Sequence, residues 1–180
     1  MKQIIFSEYA ALNRQLHEQN PEFGAHGGEK AAPQVINLCR NNGLRSVLDF
    51  GCGKGQLKRY MAELDPAIRV VEFDPAIEGK TNLPEAASVD LVVSIDVLEH
   101  VEPDYISAIL DTMRDLQPKA VLLVIGTAPA LKQLADGRNA HLSIHPGAWW
   151  EAELESRFNT IYSHESEESY LFVGAAKPTT

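Results

Sequence analysis

Cysteine is scarce in this sequence: Cys39 and Cys52 are the two among 180 residues. Two thiols do not make a disulfide framework, and the expected setting is the reduced one of the cytoplasm. Long apolar runs are also missing. The longest spans 120–126, far short of the ~18 residues that a membrane span requires. Residues 1–20 turn polar after the first six, so they lack the apolar centre of a signal peptide. Positive charge is the minority sign, with 16 basic against 25 acidic residues and a net charge of −9. That balance disfavours a nucleic-acid polymer as substrate, because polyanions are held by Lys and Arg that displace counterions. A local basic patch would be the one way around it. Repeats and low-complexity linkers are absent as well.

What remains is an ordinary globular composition, 44% apolar and 23% charged. It excludes collagen, a disordered tail and a coiled coil. The length fits one domain with a single core. Four short runs rich in β-branched residues stand out: 46–50 (SVLDF), 69–73 (RVVEF), 89–94 (VDLVVS) and 120–125 (AVLLVI). Each is too short for a helix and too continuous for a half-exposed strand, so all four are expected to be central strands buried on both faces. Helical stretches at 34–42, 56–64 and 104–116 alternate with them, which argues for right-handed βαβ units and a parallel sheet. A further helix is expected over 149–158. Two last strands, 159–163 and 169–175, flank the acidic turn 165–168 and suit an antiparallel hairpin at the sheet edge. The expected architecture is therefore α/β, a doubly wound, mostly parallel sheet with that hairpin at its C-terminal edge. Residues 1–33 form an N-terminal helix or lid segment, and 34–176 the ligand-binding domain, within one domain overall.

The segment 47–57, VLDFGCGKGQL, is the most informative. A buried strand runs into Gly51, Gly53 and Gly55, and a helix starts just beyond. Glycine lets the chain turn sharply and lets a ligand reach bare backbone. The helix N-terminus offers unpaired N–H groups and the positive end of its dipole. Together they suit an anionic or carboxylate-bearing ligand at the carboxyl edge of a parallel sheet. The spacing is G-x-G-x-G, with Gln56 where the last glycine of a dinucleotide fingerprint would fall. A P-loop is excluded, since no Gly-Lys-Ser or Gly-Lys-Thr follows. About 20 residues on, Asp74 follows a strand end, where open α/β sheets set a carboxylate against a ribose diol. The plain alternative is that Asp74-Pro75 starts a turn or caps a helix.

With these motifs on the page, the sequence resembles the class I S-adenosylmethionine-dependent methyltransferases, the small type 11/12-like proteins among them. VLDFGCGKG is similar to their first motif, and VVEFDPAI to the second strand with its ribose-binding acid. VDLVVSIDVLEHVEPD (89–104) is similar to the fourth-strand motif, and MRDLQPKAVLLVIGT (113–127) to the helix and strand that follow. The likeness covers roughly 34–175. It implies a Rossmann-like fold, S-adenosylmethionine as cofactor, and contacts from Asp49, Gly51, Gly53, Gly55, Asp74, Pro75, Ile95, Asp96 and His100. One departure stands out. Only fifteen residues lie between Asp74 and Asp90, so the family's third strand is expected to be vestigial and the adenine contacts are left to Pro75, Ala76, Ile77 and Leu83.

Methyl transfer to an activated nucleophile needs little beyond position and desolvation, whereas a hydroxyl needs a base within reach. The long polar segment 126–150 should hang over the ligand-binding edge. It carries Asp136, Arg138, Asn139, His141, His145, Trp149 and Trp150. His141 is the leading candidate for base or orienter, with His145 and Asp96 as further catalytic candidates. The alternative for both histidines is a structural bond to loop carbonyls. His100 is placed on the cofactor side. The tryptophans begin the next helix, or wall the acceptor pocket. Tyr9, His17, Phe23 and Gly24 belong to the lid or to a packing helix. No metal is expected from His26, His141 and His145, because Pro146 denies the last two a helical face. Cys52 reads as a packing residue.

The composite expectation is a compact methyltransferase, monomer or homodimer, acting away from membranes on a small or medium acceptor: a hydroxyl or amine of a sugar, nucleotide or metabolite. The alternatives are a non-catalytic S-adenosylmethionine-binding regulatory subunit and a nicotinamide-dependent oxidoreductase.

Overall fold

A computed structural model describes residues 11, 12, 14, 15 and 27–178 of the chain. Its sheet is built from β1 (Ser46–Phe50), β2 (Arg69–Phe73), β3 (Leu91–Ile95), β4 (Ala120–Gly126), β5 (Phe158–Glu165) and β6 (Ser169–Ala176). The helices are α1 (Gly28–Asn42), α2 (Gln56–Leu64), α3 (Pro103–Asp115) and α4 (Gly147–Glu155). The strands lie in the order β2-β1-β3-β4-β6-β5. β1 pairs in parallel with β2 and β3, and β3 with β4, whereas β6 runs antiparallel to both β4 and β5. This is the expected doubly wound sheet with an antiparallel edge hairpin.

Alternation along the inner strands makes two cores. Leu48, Phe50, Phe73 and Val92 face α3 and α4, packing on Ile106, Leu110, Met113, Trp150 and Phe172. Val47, Leu91 and Val93 face the other way, onto Ala32, Val35 and Cys39 of α1 and Leu57 and Met61 of α2. Both layers are needed because strands buried on two faces have no solvent side. The two cysteines are free and buried. Among the described residues no helix is long and apolar enough to cross a membrane.

Three expectations shift. β2 is an edge strand, not a central one, and Val70, Val71 and Glu72 are half-exposed. The cause is the short connection 74–90, which adds no strand outside it. The family's third strand is thus absent among the described residues. α1 starts at Gly28, ahead of the expected 34, and runs through Pro33. Its first turn is held by packing, since a Cβ on Gly28 would stand 2.5 Å from the Leu57 amide nitrogen. α4 starts at Gly147 and stops at Glu155, releasing the fully buried Phe158 to begin β5.

Candidate active site

The site gathers at the carboxyl ends of β1, β2, β3 and β4, where each parallel strand hands over to a loop. After β1 the chain doubles back on β2. The Gly51 and Cys52 amides both donate to the Phe73 carbonyl, at 2.8 and 3.1 Å. Gly51 and Gly55 are glycine for two reasons each. Both have φ near +80°, and a Cβ would run into the Val97 side chain at Gly51 and into the Glu72 carboxylate at Gly55. α2 starts at the next residue with no side-chain cap and no acid in its first turn. The end of the helix thus keeps its partial positive charge for a ligand.

Asp74 stitches this turn to the next one. One carboxylate oxygen accepts from the Gly53 amide at 2.9 Å and the other from the Ala76 amide at 2.9 Å. The turn-capping alternative therefore describes Asp74 as it stands. A carboxylate has about four lone-pair sites, so accepting a ribose hydroxyl is compatible with both bonds. Pro75 forms the corner between them, and the Arg14 guanidinium approaches the Ala76 carbonyl at 3.4 Å. The expected lid residues Tyr9, His17, Phe23 and Gly24, and also His26, lie outside the described residues.

Two side chains that sequence reasoning passed over complete this half of the site. Lys80 reaches back over the glycine turn, donating to the Gly53 carbonyl at 3.1 Å and pairing with Glu72 at 2.9 Å. Lys58 of α2 holds the other Glu72 oxygen at 2.9 Å. Residue spacing carried no hint of Lys80, which arrives through a turn of the short 74–80 loop. Asp49 lies beneath the glycine turn. Burial, then the neighbouring Glu72 and Asp74 charges, pushes its carboxyl up to about 7, against a downward pull from Lys80. Burial also raises the Cys52 thiol well above its usual range, which agrees with a packing role.

The other half forms around the end of β3. Asp96 has φ +54°, rare for a residue with a side chain and typical of functional sites. A Cβ on Gly27, at the entry to α1, would lie 3.6 Å from Ile95 and 3.7 Å from Asp96. Beyond comes a single 3₁₀ turn, Leu98–His100. The segment after β4 folds down onto that turn. The Leu142 and Ser143 amides donate to the Glu99 carbonyl at 2.7 and 3.0 Å, and the Ser143 hydroxyl to the Val101 carbonyl at 2.6 Å. Asn139 braces the segment with both of its amide atoms on the Ala130 backbone and accepts from the His141 amide. Asp136 and Arg138 pair with each other at the exposed tip.

This folding brings His141 to His100, ring centroids 4.7 Å apart and nearly perpendicular. One ligating atom each from Glu99, His100 and His141 lies within 4.8 Å of the others. Glu99 is only 1% exposed. Burial, then the Asp96 charge, raises its carboxyl to about 7. Asp96 is raised by desolvation and pulled back by His141. His145 is engaged elsewhere, stacked on Trp149 at 3.8 Å. Trp150 is fully buried in the core beneath α4. Glu99 was overlooked because, within a LEHV stretch, nothing marks it as the buried member.

A family model described as a methyltransferase domain matches residues 11–170. No curated protein matches the chain. Among solved structures, the Burkholderia thailandensis 1,6-didemethyltoxoflavin-N1-methyltransferase, with 1,6-didemethyltoxoflavin and S-adenosylhomocysteine bound, superposes with a TM-score of 0.70 at 16% identity, covering 99% of this chain and 94% of that one. A DhpI–SAH complex gives 0.66 at 20% identity, covering 97% and 100%. An O-methyltransferase family protein from Burkholderia thailandensis gives 0.64 at 16% identity, covering 97% and 63%.

Proposed function

Since the chain belongs to the methyltransferase-domain family, we propose that it moves a methyl group from S-adenosylmethionine to a hydroxyl or amine of a small or medium acceptor, such as a sugar, nucleotide or metabolite. The observation that carries this reading is a juxtaposition on one sheet edge. The turn 51–55, clamped by Asp74, follows β1, and the cluster of Glu99, His100 and His141, with Asp96 close by, follows the neighbouring β3 at the same sheet edge.

Asp49, Gly51, Gly53, Gly55, Asp74, Pro75, Ile95, Asp96 and His100 are assigned to the cofactor. The uncapped start of α2 and the bare turn before it suit its amino-acid end, and Asp74 suits its ribose. When bound, the cofactor supplies an electrophilic methyl on a sulfonium, whose C–S electron pair stays with sulfur on transfer. The protein's part is to hold the acceptor and take its proton. The His141 Nδ1 lies 2.6 Å from the Ala128 carbonyl, which can only accept, so Nδ1 carries the hydrogen and the neutral ring keeps its lone pair on Nε2. That lone pair accepts from an acceptor O–H or N–H and takes its proton, and the nearby Asp96 carboxylate favours the imidazolium that forms.

The reading is tested by calorimetric titration with S-adenosylhomocysteine, followed by a methyl-transfer assay over hydroxyl and amine acceptors. One-to-one binding with turnover of an acceptor supports it. No heat and no transfer would remove it.

A further inference from the structure

The cluster at the end of β3 is built more tightly than an acceptor-orienting histidine requires. Glu99 and His100 are adjacent on a 3₁₀ turn, and His141 is fastened to that turn by the two amides donating to the Glu99 carbonyl. The three ligating atoms are thus held together by backbone bonds of the fold, all within 4.8 Å. Both rings are anchored in the same way. The His100 Nδ1 lies 2.8 Å from the Ala140 carbonyl, and the His141 Nδ1 lies 2.6 Å from the Ala128 carbonyl. A carbonyl only accepts, so in each neutral ring Nδ1 carries the hydrogen and Nε2 is the basic nitrogen. Metal-ligating histidines are held by such bonds to their other nitrogen.

Glu99 supplies an independent observation. Its Oε2 is buried with no hydrogen-bond partner among the described residues. An unpaired buried carboxylate oxygen costs several kcal/mol unless something charged or donating meets it. The room around it comes from Gly126, the last residue of β4. A Cβ there would stand 2.7 Å from the Glu99 Oε1 and 3.1 Å from the His141 Cε1. Sequence reasoning had discounted a metal because it weighed His141 with His145 and His26. The partners that the fold supplies are different ones, Glu99 and His100.

We propose that Glu99, His100 and His141 form a binding site for one divalent transition-metal ion, with Zn2+ as the ion that best suits it. Two imidazoles and a carboxylate favour such an ion over Mg2+ or Ca2+, which prefer all-oxygen sets. Three protein ligands leave at least one position open, the arrangement of a site that takes a further ligand rather than a closed structural one. Asp96 lies close to Glu99 and His141 at the same carboxyl edge, and the ligand class that suits the open position is an oxygen donor, a hydroxyl or alkoxide. With the ion bound, the His141 Nε2 lone pair is engaged by the metal and an acceptor oxygen meets the ion in place of that lone pair; this role rests on the methyl-transfer reading, whereas the metal site itself does not.

The experiment uses the full-length chain, stripped with a chelator and titrated with Zn2+ by calorimetry. Co2+ is added in parallel for its visible absorption, and Mg2+ as the contrasting ion. One equivalent of Zn2+ is expected, with Co2+ bands of mixed nitrogen and oxygen ligation and a rise in melting temperature. His141→Ala and Glu99→Gln should each weaken Zn2+ by roughly a hundredfold. Glu99→Gln, with an uncharged group in place of the buried carboxylate, should melt no lower than the stripped wild type. Gly126→Ala should weaken Zn2+ by crowding the cluster. Zn2+ heat absent in the wild type, or undiminished in both ligand variants, overturns the site. S-adenosylhomocysteine titrated into the same samples separates the two proposals. If that binding is intact and metal binding fails, the cation falls and methyl transfer stands; metal binding without nucleoside binding gives the reverse.

Discussion

The carboxylate of Asp74 reaches across to the amide of Gly53 at 2.9 Å, tying the corner after β2 to the glycine turn after β1. One side chain therefore fixes the relative position of two loops from different strands. Replacing Asp74 with Ala is expected to do two things together. Losing the bonds to Gly53 and Ala76 lowers stability by ~1–3 kcal/mol, read by urea unfolding. Affinity for S-adenosylhomocysteine falls by roughly tenfold or more, read by calorimetry. Unchanged affinity in the folded variant would leave Asp74 with its turn-bracing work alone.

Gly55 is the second point where two requirements meet. Alanine there is expected to cost roughly 1–3 kcal/mol through its positive φ and to displace the Glu72 carboxylate from Lys80. Because Lys80 also holds the Gly53 carbonyl, cofactor affinity should fall with stability. A variant as stable as the wild type would show that the turn can relax.

Asp49 gives the cofactor site a pH dependence. Its folded-state carboxyl titrates at about 7, above the unfolded value near 3.9. A raised carboxyl contributes stability that is present below the unfolded value and lost as pH rises through about 7. Bound S-adenosylmethionine carries positive charge, which favours ionised Asp49. Affinity should therefore rise between pH 6 and 8 by roughly tenfold at most, with proton release detected by calorimetry in buffers of different ionisation enthalpy. Asp49→Asn should flatten the profile; a wild type with no proton release refutes the coupling.

Asp90 works in the opposite direction. Its carboxylate bonds to Lys119 at 2.8 Å and to the Arg45 amide, the Ser46 amide and the Ser46 hydroxyl, fastening the start of β1 to the start of β3. Lys119 first, then the Arg45 amide, lowers its carboxyl to about 2. A lowered carboxyl contributes stability present above pH 4 and lost as the pH falls through about 2. Asp90→Asn should remove ~1–2 kcal/mol at neutral pH and narrow the difference from wild type in acid, measured by urea unfolding across pH. An equal difference at every pH would exclude ionisation as the cause.

His141→Ala tests the acceptor side. Turnover should fall by roughly a hundredfold or more while S-adenosylhomocysteine affinity changes little, because His141 lies across β3 from the glycine turn. An unaffected rate would leave His141 as a brace for the Ala128 carbonyl.

Most of the sheet was legible in the chain. β1, β2 and α2 fall where β-branched runs and helical spacing placed them, and the glycine turn falls at the carboxyl edge of the parallel strands, because local backbone requirements are written in local residues. The errors came where a neighbour decides. Residues 69–73 have the composition of a central strand, yet their exposure depends on whether another strand lies outside them, and the 74–90 connection is too short to provide one. Asp74 was legible as an acid at the end of β2, but its bond to Gly53 was not, since 21 positions separate them in the chain.

The residues by themselves determined the fold class, the glycine-lined turn and the acid at 74, since strand periodicity and the need for positive φ act over a few positions. Only the folded chain decided that Glu99 is buried and that His100 meets His141 rather than His145. Side chains forty positions apart come together through loop hydrogen bonds and the missing side chain of Gly126. Such meetings depend on how elements stack, which no run of neighbouring residues encodes.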